Sequence, residues 1–556
     1  MNYLNEFIDW HEGETYDEMR KTEIKVPKDF NFSYDIVDRY AKEAPEKRAM
    51  VWCNDKGEEH VFTFKQISED SQRTANFLVS HGIQKGDVVM IIMRRRYEFW
   101  WLILALHRIG AICVPATNQL LTDDIVYRCN SAEVKMIVCL EDEKLESHIT
   151  EALPQSPSVK SIVTLSSGKE GWVDFHKELP SFSACFPRPE GEKATHNDDP
   201  MLMYFTSGTS GYPKMVMHNY TYPLAHIVTA KFWQCVEDDG LHLSVAETGW
   251  GKAVWGKLYG QWISGSAVFV YDLLAFTPDL FFKKMAHYKV NTFCAPPTAY
   301  RFLIRQDMSN YDLSNLHYCV TAGEALNSEV FNKFYEKTGI KMFEAYGQTE
   351  TTLVAGNFPG MEPKPGSMGK PAPGYDVDIV RPDGKKCTPL ETGSLVIRID
   401  QKKPLGLFSG YYKNEEQTKK ALSGVTYNTG DQAYFDDDGY IWFVGRNDDI
   451  IKSTGFRISP FEVESVLQQH PSVLECAVTG MPDPRRGQIV KASIILNKGF
   501  TAGKDLEKEI KGFVAEHLAL YKIPRVIEFV EALPKTISGK IRRVEIREHD
   551  KEKQGE

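Results

Sequence analysis

No Cys-x-x-Cys pair occurs anywhere in the 556 residues, and the cysteines are scattered singly from Cys53 to Cys476. That spacing excludes a zinc framework and a disulfide scaffold, leaving reduced thiols in a cytosol as the simpler expectation. A basic excess is also missing: the formal net charge is -10, which argues against nucleic acid as a general partner. The opening stretch MNYLNEFIDWHEGETYDEMRK has no apolar core of the kind a signal peptide needs, so a cytoplasmic location is expected. Long apolar runs are absent too. The nearest, FWWLILALHRIGAICVPA, is interrupted by His107 and Arg108, well short of the roughly 20 apolar residues of a spanning helix. No integral membrane segment is therefore expected, and this stretch reads as a buried helix leading into a strand. There is no internal repeat and no low-complexity tract. What remains is an ordinary globular composition, 42% hydrophobic and 26% charged, in a chain too long for one core.

Short runs rich in valine, isoleucine and aromatics, among them VVMIIM, KMIVCL, SIVTL, AVFVYD and VNTFCAP, alternate with amphipathic stretches. This pattern predicts parallel βαβ architecture. One segment is especially legible: a strand over Tyr318 to Thr321, a loop of Ala322, Gly323 and Glu324, a helix capped by Asn327 or Ser328 and stopped by Gly339, then a strand over Lys341 to Ala345. Beyond about residue 366 the texture changes to glycines, prolines and hairpin turns such as PDG and DDG. After Gly445, a polar stretch runs into a helix with Ser459 as N-cap, Pro460 at its first position and Glu462 completing a capping box. The expected fold class is α/β. A large N-terminal domain (1–445) of several subdomains has mainly parallel sheets and a small β subdomain (about 366–445), and a small α+β C-terminal domain (446–556) follows.

The loops after the strands matter, because open α/β sheets bind ligands at the carboxyl ends of their strands. The strand MLMYF runs into Thr206, Ser207, Gly208, Thr209, Ser210, Gly211, Tyr212, Pro213 and Lys214. Backbone N–H groups and hydroxyls in such a turn suit a polyphosphate, and the lysine adds a compact positive charge. The spacing is not that of a Walker A loop. The bland alternative is a solvent loop of turn-forming residues.

The segments YFTSGTSGYPK, YGQTE (Tyr346 to Glu350), YNTGD (Tyr427 to Asp431), GRNDDIIKSTGFRISPFEVE (Gly445 to Glu464) and PKTISGK (Pro534 to Lys540) occur in this order. Together they resemble the motifs of the adenylate-forming superfamily, and the likeness runs from about residue 30 to 548. Within it, FTSGTSGYPKMVMH, ETGWGKAVWGKLYGQW and AGEALN are most similar to the medium-chain acyl-CoA synthetases. The resemblance implies that the first loop holds ATP, with Gly323, Glu324, Ala325, Glu344, Ala345, Tyr346, Gly347, Gln348 and Thr349 around adenine and the α-phosphate. Asp431 would accept both ribose hydroxyls, and Arg446 and Arg457 would reach the nucleotide. Glu350, with Thr206 or Thr349, would favour Mg²⁺. Lys540 and Lys214 would neutralise charge as carboxylate and phosphate meet.

The implied reaction has two steps, acyl-adenylate formation and attack by coenzyme A, with the C-terminal domain mobile between them about a hinge at Asp448. Thr454, Gly455 and Phe456 would then line the pantetheine tunnel, and Arg486 would meet the CoA phosphates. The acyl pocket is assigned to Trp233, Trp250, Lys252, Trp255, Cys294 and Gly347, with Trp262 nearby. Crowded indoles predict short, branched or compact aromatic acids, whereas the bland reading packs the tryptophans in the core. The expected partners are a small carboxylic acid, ATP and CoA, with a homodimer as the oligomeric option. A benzoate-type aryl-CoA ligase and a non-catalytic nucleotide sensor are the alternatives.

Overall fold

The computed structural model describes the chain except for residues 11, 12, 14, 167–168, 207–212, 325, 423, 455, 536–539 and 555–556. Two large sheets organise the first three quarters of the chain. In one, the strands Leu241–Ser244, Thr292–Ala295, Tyr318–Ala322 and Met342–Gly347 run parallel and side by side, and Leu353–Gly356 closes that end antiparallel. In the other, Val88–Ile92, Ile112–Ala116, Val134–Cys139 and Ser161–Thr164 run parallel, and Pro200–Thr206 joins beside Ile112–Ala116. Pro200–Thr206 is followed by an antiparallel partner, Lys214–Asn219, whose register sets Thr206 opposite Lys214. The sheets are therefore mainly parallel, and two of their strand ends deliver the phosphate-loop residues and the YGQTE loop.

The helix Glu98–Ile109 is buried along its whole length, which its sequence explains only in part. Its apolar residues fill the core. Its three charged or polar residues are enclosed because each finds a partner: Arg108 donates to Asp38 at 2.7 Å, His107 meets the Tyr259 hydroxyl at 2.8 Å, and Glu98 meets His176 at 2.8 Å. Gly110, left-handed with φ 86°, ends the helix and the chain turns directly into Ile112–Ala116. Among the described residues no helix is long and apolar enough to cross a membrane.

The helix Ser328–Thr338 starts at Asn327, whose side chain accepts from the Glu329 N–H, and stops at Gly339 with φ 69°. Val330, Phe331 and Phe334 are its buried face. The segment after 366 forms an antiparallel sheet of Val377–Val380, Gly393–Arg398, Thr426–Phe435 and Ile441–Arg446, with Asp431 registered opposite Arg446. Beyond it, the strands Ile451–Ser453, Phe456–Ile458, Val473–Asp483, Gly487–Leu496 and Val526–Phe529 form a separate sheet. Helices Pro460–Leu467, Lys504–His517 and Arg543–Gln554 accompany that sheet, around a core of its own that includes Ile451, Ile458, Val463 and Ile510. Ser459 caps Pro460–Leu467 by accepting from the Glu462 N–H, as its sequence indicates. The reciprocal half of the capping box does not form, because the Glu462 carboxylate is drawn instead to Lys522.

Candidate functional site: a nucleotide and acid cleft

Four segments far apart in sequence meet at Asp431. The Tyr346 hydroxyl and the Gln348 amide both donate to its Oδ2, the latter at 2.8 Å. Its Oδ1 is buried without a hydrogen-bond partner and lies 3.3 Å from the Arg446 guanidinium. Burial lifts the Asp431 pKa above the ordinary aspartate value, against the pull of Arg446, of the bonds from Tyr346 and Gln348, and of the Lys540 charge. A buried acceptor oxygen held next to a positive charge is suited to a hydroxyl donor such as a ribose. The same Gln348 amide also donates to the Thr429 carbonyl at 2.8 Å, and the Tyr427 hydroxyl donates to the Gln348 side-chain oxygen at 3.2 Å. The YGQTE and YNTGD motifs are thus stitched together by side chains.

Glu350 accepts from the Tyr411 hydroxyl at 3.2 Å, and the Lys214 ammonium stands 5.0 Å from the centre of the Tyr411 ring. Burial raises the Glu350 pKa, while Tyr411, Lys214 and Arg446 work the other way. A cation arriving here would favour the ionised carboxylate. Among the described residues no cluster of three or more His, Cys, Asp or Glu is present. One enclosed carboxylate, in a chain whose Thr206 backbone pairs with Lys214, therefore fits a hard cation carried in on phosphate oxygens better than a resident metal cage. The backbone before Glu350 is fixed from behind: the buried His218 ring shares a 2.8 Å hydrogen bond with the Thr349 carbonyl. Burial lowers the His218 pKa to about 4, so the ring is neutral at physiological pH.

Of the residues expected to line the acyl pocket, Trp233, Trp255 and Cys294 are buried. Lys252 donates to the Ala322 carbonyl, and its ammonium is held below the ordinary lysine range by burial, with Cys294 and Glu324 opposing and Lys540 reinforcing that shift. A Cβ on Gly347 would lie 2.3 Å from Cη2 of Trp255 and 2.4 Å from the Thr352 carbonyl oxygen, so that indole stands directly against the backbone of the YGQTE loop. Trp250 is partly exposed. Trp233 and Trp262 are fully enclosed, their indole N–H groups given to the carbonyls of Phe343 at 3.0 Å and Ala49 at 2.9 Å. These two are core residues, which corrects the assignment of Trp233 to the pocket lining.

Other site residues fall into place unevenly. Ser207, Gly208, Thr209, Ser210, Gly211, Tyr212, Ala325 and Gly455 lie outside the described residues. Pro213 gives its carbonyl to the Tyr127 hydroxyl at 2.9 Å. Glu324 is turned aside to Thr298 at 2.6 Å and Arg301 at 3.7 Å. Glu344 is fully buried beneath the loop, accepting from the Leu326 N–H at 3.1 Å, and burial drives its pKa well up, favouring the neutral acid. It serves as a strut under the loop and not as an open ligand, which corrects its place among the nucleotide contacts. Thr454, Phe456, Arg457 and Arg486 are all exposed, on the Ile451–Ser453/Phe456–Ile458 hairpin and its neighbour; the Thr454 N–H donates to the Arg486 carbonyl at 2.9 Å. Asp448 is exposed at the seam between the last antiparallel strand and this hairpin. Sequence reasoning missed Tyr411 and His218, because nothing local marks a tyrosine whose strand, Gly410–Tyr411, pairs with Lys214–Asn219 across nearly two hundred residues.

The fold and cleft define a nucleotide-binding α/β enzyme with a separate C-terminal domain. Residues 37–412 match the model of the AMP-binding enzyme family and residues 462–540 that of the AMP-binding enzyme C-terminal domain. The chain belongs to the AMP-binding enzyme family. It is 38% identical over 550 residues to the mouse (Mus musculus) protein "Acyl-coenzyme A synthetase ACSM3, mitochondrial", spanning 96% of this chain and 93% of that protein. The human (Homo sapiens) "Acyl-coenzyme A synthetase ACSM4, mitochondrial" is 37% identical over 535 residues, 94% of this chain and 91% of that protein. Because these relatives are named as mitochondrial proteins, the cytoplasmic location expected from the N-terminal sequence is overturned. Among solved structures, the anthranilate CoA ligase AuaEII in complex with anthranoyl-AMP superposes with a TM-score of 0.86 at 28% identity, covering 96% of this chain and 99% of that one. An acyl-CoA synthetase of Brucella canis, 33% identical, superposes at 0.71 and covers 94% of this chain and 95% of that one.

Proposed function

We propose that the protein is an AMP-forming acid–CoA ligase whose structure is in the adenylating arrangement. The reading is supported by one convergence: Arg446 and Lys540 act on Asp431 while Arg446 and Lys214 act on Glu350, so that positive groups from separate segments gather about two enclosed carboxylates. Lys540, almost at the end of the chain, is felt by both Asp431 on the nucleotide side and Lys252 on the acid side. A positive group between a nucleotide and an acid is what the first step requires, since the carboxylate and the α-phosphate repel.

In that step an oxygen of the carboxylate bonds to the α-phosphorus, the bond to the β-phosphate breaks, and pyrophosphate leaves with the electron pair. Asp431 fixes the ribose through its open oxygen, Tyr346 and Gln348 hold Asp431 in place, and Lys540 and Lys214 offset charge on the acid and the departing phosphates. Mg²⁺ held at Glu350 and Thr206 would supply further neutralisation of the polyphosphate. In the second step the CoA thiol, having lost its proton, attacks the acyl carbon and AMP leaves. Thr454, Phe456 and Arg486 are exposed on one hairpin and its neighbour, open to the CoA thiol arm once the C-terminal domain rotates about Asp448. The boundaries 1–445 and 446–556 follow from that seam.

The acid is short, branched or compact and aromatic, a reading supported by the Trp255 indole packed directly against the Gly347 backbone. An aryl acid is favoured by the ligase of anthranilate among the structural neighbours. A nucleotide sensor without catalysis would have no use for Lys540 beside the acid pocket. Pyrophosphate release is measured with a panel of acids from acetate to dodecanoate together with benzoate. Acid-dependent release followed by CoA-dependent AMP supports the reading; strongest activity on dodecanoate removes the short pocket, and release without dependence on acid removes the ligase.

A further inference from the structure

The hinge and the segment carrying Lys540 are tied together by part-buried ionic contacts that the reaction itself does not use. On either side of that segment Lys535 bridges Ile541, and the Arg542 N–H donates to the Pro534 carbonyl at 2.8 Å. The chain then enters the helix Arg543–Gln554. Its first residue, Arg543, donates to both oxygens of Glu464 at 2.8 and 2.7 Å, and its fifth, Arg547, donates to Asp449 at 2.6 Å. Glu464 lies on the helix Pro460–Leu467 and also accepts from the Val478 N–H at 2.7 Å, so it is locked to the sheet behind it. Asp449 stands one residue past Asp448 and is within 3.8 Å of Arg543 as well. On the other side of Asp448, Arg446 faces Asp431.

We infer that Asp449, Arg547, Arg543 and Glu464 form a positioning clamp that makes the hinge and Lys540 one rigid lever, so that a rotation at Asp448 delivers the lysine to the cleft at a fixed reach. The inference rests on the proposed two-step reaction. Its physical basis is that an exposed lysine, with four rotatable side-chain bonds, cannot by itself find a position good to a fraction of an ångström. Two arginines at successive turns of one helix, Arg543 on the sheet-anchored Glu464 and Arg547 on Asp449 beside the hinge, set both the direction and the rotation of that helix. The CoA-side hairpin is held differently, by Ser453 pairing with Gly487 and by the Thr454 N–H on the Arg486 carbonyl. The clamp therefore bears on the first step and not on the second.

The test measures acid-dependent ATP–pyrophosphate exchange and, separately, thioester formation from a supplied acyl-adenylate, in Arg547→Met, Asp449→Asn, their double variant and Arg547→Lys. Lys553→Met is the comparison, because it breaks the 2.7 Å pair with Glu528 at the far end of the same helix. Expected is a fall of roughly tenfold to a hundredfold in exchange for each clamp variant, with no further loss in the double and partial recovery in Arg547→Lys. Thioester formation and Lys553→Met should stay within about threefold of the parent. Equal losses in both half-reactions, additive singles, or an equal loss in Lys553→Met would overturn the clamp. An unmutated protein that shows no exchange at all would remove the ligase reading instead, and the two failures are distinct.

Discussion

The nucleotide side and the acid side of the cleft are built on opposite principles. Around Asp431 the side chains hold one another: Tyr346 and Gln348 donate to one carboxylate oxygen, Tyr427 steadies Gln348, and the other oxygen, beside Arg446, has no hydrogen bond. Around Lys252 and Trp255, packing does the holding; the indole lies against a glycine backbone, and an ammonium is kept in an enclosed place where its charge is disfavoured. The first arrangement suits a ligand common to every turnover. The second is the kind of wall that sets which acid fits, because a shape made by packing changes with one side chain.

The comparison can be broken most sharply at Lys540. Lys540→Ala should lower acid-dependent ATP–pyrophosphate exchange by roughly a hundredfold to a thousandfold, the scale of losing one charge aimed at the transition state. CoA attack on supplied acyl-adenylate should be largely unaffected, and parallel loss of both would show that the lysine serves no single step. Asp431→Asn comes next: removing the charge facing Arg446 should weaken kcat/KM for ATP by about tenfold to a hundredfold while leaving the ranking of acids unchanged. A changed ranking would mean that the two sides are not independent.

On the acid side, Trp255→Ala should extend the accepted chain by about two to four carbons, whereas Gly347→Ala should cost activity on every acid and should not be rescued by Trp255→Ala, because its Cβ also meets the Thr352 carbonyl oxygen. Acid-panel kinetics on the single and double variants read this directly, and an unchanged chain-length preference in Trp255→Ala would place the end of the pocket elsewhere. The smallest effect concerns pH. The His107 and His218 pKa values are lowered to about 4 by burial, against an ordinary 6.5. The unfolded chain therefore binds more protons than the native one between these values, and the stability present above pH 6.5 is lost as pH falls toward 4. The melting temperature should drop across that window, and His218→Gln should flatten the slope there; an unchanged slope would mean that His218 does not contribute.

Much of the fold was legible because local signals agreed. Asn327, Gly339, Ser459 and the glycine-bearing turns each act within a few residues, and the alternation of apolar runs marked the parallel sheets. The location was not legible, because an N-terminus without an apolar core excludes only one kind of targeting signal. Glu462 showed the limit of local reasoning: a sound capping pattern lost its second half to Lys522, sixty residues away in the chain. Trp233 and Trp262 could not be told from pocket residues by sequence, since an indole that fills a core and one that lines a cavity have the same composition.

The sequence by itself determined the chemistry on offer: a hydroxyl- and glycine-rich loop ending in Lys214, acids at Glu350 and Asp431, and a late Lys540. Those are short motifs whose residue types are dictated by phosphate, ribose and cation. Only the tertiary structure decided which of them face each other. Tyr411 beside Glu350, His218 behind Thr349, Trp255 against Gly347 and Arg547 on Asp449 depend on strands and helices far apart in the chain meeting in one register. That meeting is fixed by burial of the sheets as a whole and by no stretch read alone.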